Sequence, residues 1–204
     1  MDKKIVVTIG RQFGSGGREI GQKLAKRLGI SFYDKELLAI AARESGISKD
    51  IFELHDEKPT NSFLYSLVMD TYAMGYGTPT FVDMPINQRV FLAQFDTIRK
   101  IAENESCVIV GRCADYALEG LVDYKSVFVH ADMGDKLKRI MKMYNVNESG
   151  ANDLIAKTDK KRASYYNYYT NKKWGNSVNY DLSINSSRLG MDGTVDLIEF
   201  YLKQ

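Results

Sequence analysis

Cysteine, histidine and proline are all scarce in this chain of 204 residues, which holds two, two and three of them. Cys107 and Cys113 are too few for a disulfide framework and are not spaced as metal ligands, so they read as buried free thiols in a reducing, cytoplasmic setting. His55 and His130 stand apart from each other and from both cysteines, which leaves no case for a zinc site. No apolar run approaches the ~20 residues needed to span a bilayer. Met1-Asp-Lys-Lys leads into a strand rather than a signal peptide. A formal net charge of +2 gives no reason to expect a nucleic-acid or membrane partner. Repeats and low-complexity tracts are also absent, and the length suits one sizeable domain or one with a small inserted lobe.

Glycine, by contrast, is concentrated where it carries meaning. A β-branched run at residues 5–9 reads as a buried strand, breaks at Gly10 into a loop holding Gly14, Gly16 and Gly17, and gives way to a helical pattern over residues 18–28. A strand, a glycine loop and a helix in that order bring main-chain N–H groups and a helix N-terminus to bear on an anion. Glycine permits both a positive φ and the close approach of the anion to the backbone. The loop is not a standard phosphate loop, G-x-x-x-x-G-K-[ST]: with Gly16 as its second glycine, Gly17 stands at the lysine and Glu19 follows Arg18. Nor is it a full dinucleotide fingerprint, since Glu19 occupies the third glycine position. With Arg11 and Arg18 on either side, an anion site accounts for it better than a plain turn does.

Further strands are expected at residues 31–34, 106–110, 126–130 and 180–184, with helical patterns between them. Alternating strands and helices imply an α/β fold with a parallel five-stranded sheet flanked by helices. Right-handed crossovers then place the glycine–cation elements at one sheet edge. Residues 35–104 hold a largely helical stretch, read as an insert: helix over 35–44, a short helix after Ser48, a turn at Pro59-Thr60-Asn61, helical spacing over 63–74, and a long helix over 86–102. Residues 147–173 are helical in pattern but polar, and a closing helix is expected over 193–202.

Several side chains stand out against this frame. Arg112 follows the third strand directly, where α/β folds bind ligands, and a guanidinium fork suits phosphate. Asp159 and Arg162 share a helix face at i, i+3 and make either a site or an ordinary ion pair. Lys157, Lys160, Lys161, Lys172 and Lys173 around them suggest a cationic flap that closes over phosphates. Tyr165, Tyr166, Tyr168 and Tyr169 suit packing more than base stacking. Asp34, at the end of the second strand, suits a dinucleotide's ribose, an acid that supports a cation from behind its direct ligands, or a helix cap.

Taken in order, the glycine loop, the insert, Val108-Ile-Val-Gly-Arg112, Asp159-x-x-Arg162 and the last strand resemble the cytidylate kinases. They resemble still more closely the cytidylate kinase-like branch of the P-loop nucleoside-monophosphate kinases. That resemblance implies one domain with a monophosphate-binding insert at about residues 35–104 and a lid at about residues 147–174. It implies transfer of the γ-phosphoryl group of ATP, with Mg²⁺, to CMP, dCMP or a similar nucleotide. Gly14, Ser15, Gly16, Gly17, Arg18 and Glu19, with Arg11, would line the donor phosphates. Arg112, Asp159 and Arg162 would bind the acceptor, and Arg18, Arg112 and Arg162 would neutralise charge during transfer. Arg89 matches an acceptor-binding arginine of the insert. Five positions depart from the pattern: Gly17 for the loop lysine, Glu19 for the Mg²⁺-ligating hydroxyl, Val110 for the acid before Arg112, and Lys35 and Ile40 for an arginine and a serine after the second strand. The first three favour a second reading, a nucleotide sensor of the same fold without catalysis. A third reading, a dinucleotide-dependent oxidoreductase, rests on Asp34 and the glycines.

Overall fold

The computed structural model describes residues 4–58 and 84–204. Five strands form one sheet: β1 (Val6–Arg11), β2 (Ser31–Tyr33), β3 (Cys107–Val110), β4 (Lys125–His130) and β5 (Leu182–Asn185). Their order across the sheet is β2-β3-β1-β4-β5, and every neighbouring pair is parallel. The parallel sheet expected from the alternating pattern is therefore present.

Both faces of the sheet are covered, which is why the central strands β1, β3 and β4 carry apolar residues at successive positions rather than only at alternate ones. Alternate residues divide the core. Val7, Ile9, Val108, Val110, Val127 and Val129 pack against Ile20 and Leu24 of α1 (Gly17–Leu28) and Val195 and Ile198 of α8 (Ser186–Leu202). Val6, Cys107 and Ile109 face the other way, toward Leu37 of α2 (Lys35–Ser45), Ile98 and Ala102 of α4 (Ile86–Asn104), and Leu118 of α5 (Ala114–Leu118). The short α3 (Lys49–His55) lies between α2 and α4 and buries Phe52. Both cysteines are buried free thiols.

After β4 come α6 (Met133–Tyr144) and α7 (Glu148–Thr170). Polar α7 is held at both ends. Asn147 accepts the Gly150 N–H at 2.9 Å, capping its start. Ile155 packs on Ile140 near that end, and Tyr165 and Tyr169 meet Phe91 of α4 near the other. The tyrosines of α7 thus serve packing, as their spacing suggests.

One expected boundary is corrected. The closing helix begins at Ser186 rather than at residue 193, with Asn185 accepting the Ser187 N–H at 3.0 Å. Gly190, at φ 68° and ψ −178°, breaks its regular path, and the glycines at 190 and 193 hide the first turns from a periodicity reading. The expected turn at residues 59–61 and helix at 63–74 lie outside the described residues.

Candidate functional site

The C-terminal ends of β1 and β3 bring two polar clusters together. The first is the loop between β1 and α1. The Ser15 hydroxyl turns inward, donating to the Gln12 carbonyl at 2.8 Å and accepting the Gly17 N–H at 3.3 Å. Gly14 and Gly16 take φ of 79° and 80°, a conformation that disfavours other residues. Packing also calls for glycine at position 17, where a β-carbon would lie 2.6 Å from Arg11 Cβ; at Gly16 it would meet only the movable end of the Met191 side chain. Closeness to an anion is thus not the only reason for Gly17.

Helix α6 supplies cations to this loop. Lys136 is buried, with Nζ 2.8 Å from Asp159 Oδ2 and 3.3 Å from Gln12 Oε1. Arg139 donates to the Gly14 carbonyl. The other Asp159 oxygen accepts the Phe13 N–H at 2.6 Å. A carboxylate therefore lies between an ammonium group and a main-chain amide, the surroundings that suit an anionic oxygen. Neither Lys136 nor Arg139 was singled out as a site residue from sequence. The signal available was their place in the early turns of the helix that follows a strand's C-terminal end.

The second cluster is built on arginine. Gly111, Arg112 and Cys113 all have positive φ (77°, 55° and 55°), and for the two non-glycine residues this is strained backbone. The turn directs Arg112 inward, where only 4% of its side chain is exposed. Its Nε and NH2 donate to the two oxygens of Asp56 at 3.2 and 2.9 Å, and NH1 donates to Asp34 and to the Val110 carbonyl. Arg11 pairs with Glu57 at 3.2 Å and approaches Asp34 at 3.9 Å. Half-exposed Arg18 pairs with Asp34 at 2.7 Å. Arg162, from α7, lies 3.6 Å from Glu57 and 5.6 Å from the centroid of the Phe13 ring.

Charge interactions outweigh burial for most of these groups. Burial raises the pKa of Glu57, but Arg11, Arg112 and Arg162 more than reverse this and hold it at about 2. Asp34 is lowered in the same way, chiefly by Arg112 and Arg11 acting against burial. Burial opposes the charge on Arg112, yet Asp56, Glu57 and Asp34 keep it firmly protonated. Arg162 moves the other way, to about 10, because burial and the neighbouring Arg11 outweigh its carboxylates. Its buried Nε has no hydrogen-bond acceptor among the described residues.

A folded-state pKa below the unfolded value gives stability that is present above the unfolded pKa and lost as pH falls through the folded one. Glu57 therefore stabilises the fold above its ordinary value of 4.5, and that contribution disappears as pH falls toward about 2. In thermal melts over this range, Glu57→Gln is expected to flatten the acid limb of the Tm profile. An unchanged limb would count against the ion pairing.

Beside the arginines lies a cavity of about 30 Å³, bounded by Arg11, Glu57, Arg112, Arg162, Tyr166 and Trp174. That is room for about one or two water molecules. Asp115 also borders it and accepts the Tyr166 hydroxyl at 2.6 Å, while burial raises the pKa of its carboxyl.

The residues nominated from sequence thus fall into groups. Arg11, Arg18, Arg112 and Arg162 converge around Asp34 and Glu57. Gly14, Ser15, Gly16 and Gly17 form the loop, with Asp159 at its mouth. Asp159 and Arg162 share a face but serve different partners, Lys136 and Glu57. Exposed Glu19 instead points along α1 toward Lys23 at 3.8 Å. Arg89 lies in the first turn of α4. Asp56 and Glu57 were not nominated from sequence.

An uncharacterized protein from Eubacterium ventriosum is similar in structure, with 32% identity, a TM-score of 0.73, and coverage of 98% of this chain and 99% of that one. Shikimate kinase from Bacteroides thetaiotaomicron shares the fold at 14% identity and a TM-score of 0.56, covering 98% of this chain and 99% of its own. So does shikimate kinase from Acinetobacter baumannii, at 12% identity and a TM-score of 0.52, covering 99% and 94%. No protein of curated function matches the sequence. The sheet is that of the P-loop nucleoside-monophosphate-kinase-like fold. The sequence profile of the cytidylate kinase-like family matches residues 6–188, and the chain belongs to that family.

Proposed function

We propose that this protein is an ATP-dependent phosphotransferase acting on CMP, dCMP or a similar nucleotide. The observation that carries the reading is the convergence of Arg11, Arg112 and Arg162 from three different elements, with a buried Arg162 N–H that lacks an acceptor among the described residues. Phosphoryl transfer depends mainly on positioning and charge neutralisation, which such a cluster supplies.

In this reading the loop of Gly14, Ser15, Gly16 and Gly17 faces the donor phosphates. Lys136, beside Asp159 at the loop mouth, provides the ammonium group that Gly17 cannot. Arg18 neutralises charge between donor and acceptor, and Arg112 and Arg162 clamp the acceptor phosphate. Asp159 is the residue the family pattern assigns to the acceptor's sugar. The position it takes here, on the Phe13 amide, suits a carboxylate that moves when a nucleotide enters. ATP fits the loop, whose mouth already holds an anionic oxygen. Mg²⁺ fits less well, since Glu19 replaces the usual hydroxyl ligand and turns toward Lys23. The metal would be held chiefly by the nucleotide's own phosphates and would offset their charge. Residues 35–104 would form the monophosphate-binding insert and residues 147–174 the lid.

Small nucleotides are the partners this reading needs, with no nucleic acid or membrane. The two buried thiols are in keeping with a cytoplasmic location. Among the described residues, no helix is long and apolar enough to cross a membrane. One observation favours the sensor reading instead: the loop mouth is closed by the protein's own Asp159, with Glu19 facing away. The oxidoreductase reading loses its main support, because the Asp34 carboxylate is taken up by arginines.

A coupled assay with ATP, Mg²⁺ and a panel of nucleoside monophosphates tests the proposal. Turnover with one or more acceptors is expected, with pyrimidine nucleotides preferred. Saturable nucleotide binding without turnover would select the sensor, and neither binding nor turnover would end both readings.

A further inference from the structure

Asp56 and Glu57 hold the arginines in the manner of a bound ligand. Arg112 grips Asp56 with two parallel N–H donors at 3.2 and 2.9 Å, the fork geometry by which arginine binds carboxylate and phosphate alike. Glu57 spans Arg11 and Arg162, at 3.2 and 3.6 Å. The fit is incomplete, since the buried Arg162 Nε is left without a hydrogen bond among the described residues. Counted over the described residues, the four guanidinium groups of Arg11, Arg18, Arg112 and Arg162 face the three carboxylates of Asp34, Asp56 and Glu57. One positive charge is left over.

The segment carrying these two carboxylates is built to let go. It is the turn that directly follows the seven-residue α3, a helix that buries Phe52 and leaves Leu54 62% exposed, and apart from the arginines Asp56 is held by Gln94 Nε2 at 3.4 Å. Glu57 itself has φ of 50°, a strained conformation for a residue with a side chain. Asp34, by contrast, sits at the end of a paired strand of the sheet.

We propose that Asp56 and Glu57 act as an internal anion that occupies the ligand position of the arginine cluster, so that a phosphate-bearing ligand binds by displacing them. The inference rests on the anion-binding part of the proposed function and not on the transfer step. Glu57 also walls the adjacent cavity, so its departure enlarges the space beside Arg11 and Arg162. The pair thereby sets selectivity. A monoanion only exchanges one carboxylate for another, whereas a phosphate group adds charge and acceptors that the lone Arg162 N–H can use. Apparent affinity falls by the fraction of molecules in which the carboxylates have vacated the site, and neutralising them removes that loss.

The test uses inorganic pyrophosphate as the probe, titrated calorimetrically into wild type, Asp56→Asn and Glu57→Gln at matched ionic strength. Each variant is expected to bind pyrophosphate about tenfold tighter or more than wild type, as removal of an internal competitor requires. Equal or weaker binding in folded variants would overturn the proposal and make the pair a structural salt bridge. A second measurement needs no variant. Hydrogen exchange of wild type is expected to quicken at residues 49–58 when pyrophosphate saturates the site. Unchanged exchange in that segment, or no pyrophosphate binding to wild type or variants, would also overturn it. Displacement without turnover would remove the transferase reading alone, and turnover with an undisturbed α3 would remove this proposal alone.

Discussion

Replacing Arg112 with methionine is expected to cost ~3–5 kcal/mol of stability, the usual result of removing one partner from a buried ion pair. The guanidinium is shared by Asp34, Asp56 and the Val110 carbonyl, and all three lose a donor at once. Arg112→Lys tests function more directly. Lysine keeps the charge but not the fork, so it cannot hold both Asp56 oxygens or two oxygens of a phosphate in parallel. Arg112→Lys is expected to remain folded and to lose ~10²–10³ in turnover, the scale for losing one preorganised charge-stabilising donor. Urea unfolding of both variants and an acceptor titration of Arg112→Lys check this. Near-wild-type turnover in Arg112→Lys would mean that Arg112 only braces the fold.

Gly17→Lys, which would place a lysine where the standard phosphate loop carries one, is expected to lower both stability and activity. A β-carbon at this position would lie 2.6 Å from Arg11 Cβ, 3.2 Å from Arg11 Cγ and 3.3 Å from Val129 Cβ. These atoms lie on or next to the sheet backbone and have little room to yield. Overpacking of this kind costs ~1–3 kcal/mol. It would also push Arg11 away from Glu57 and disturb the arginine cluster. Denaturant melts and the coupled assay read both effects. A Gly17→Lys protein as stable as wild type and faster would show that the ammonium group was missing after all, and that Lys136 does not replace it.

How much of this was legible in the sequence depended on the range of the interactions. The sheet was, because strands covered on both faces must be apolar at successive positions, as Val6, Val7 and Ile9 are. The convergence of Arg11 and Arg112 was also legible, because parallel topology sends both strand ends to one edge. Side-chain partners were not. Asp159 looked like a partner for Arg162 on the same helix but reaches across to Lys136 and Phe13, and no local spacing encodes that contact. Asp56 and Glu57 resembled ordinary polar residues at the end of a short helix, and only the fold brings them to residues 11, 112 and 162. The Arg11 side chain lying against Gly17 was equally invisible, and it adds a packing reason for glycine at that position. The closing helix was read too short because Gly190 interrupts its pattern without ending it.

The most direct measurement is a crystal structure of the wild-type protein grown with ATP, Mg²⁺ and CMP. The account predicts donor phosphates at the loop of Gly14, Ser15, Gly16 and Gly17 beside Lys136, and an acceptor phosphate on the guanidinium groups of Arg112 and Arg162. Nucleotide density elsewhere on the protein, with both clusters still holding only their own carboxylates, would contradict it.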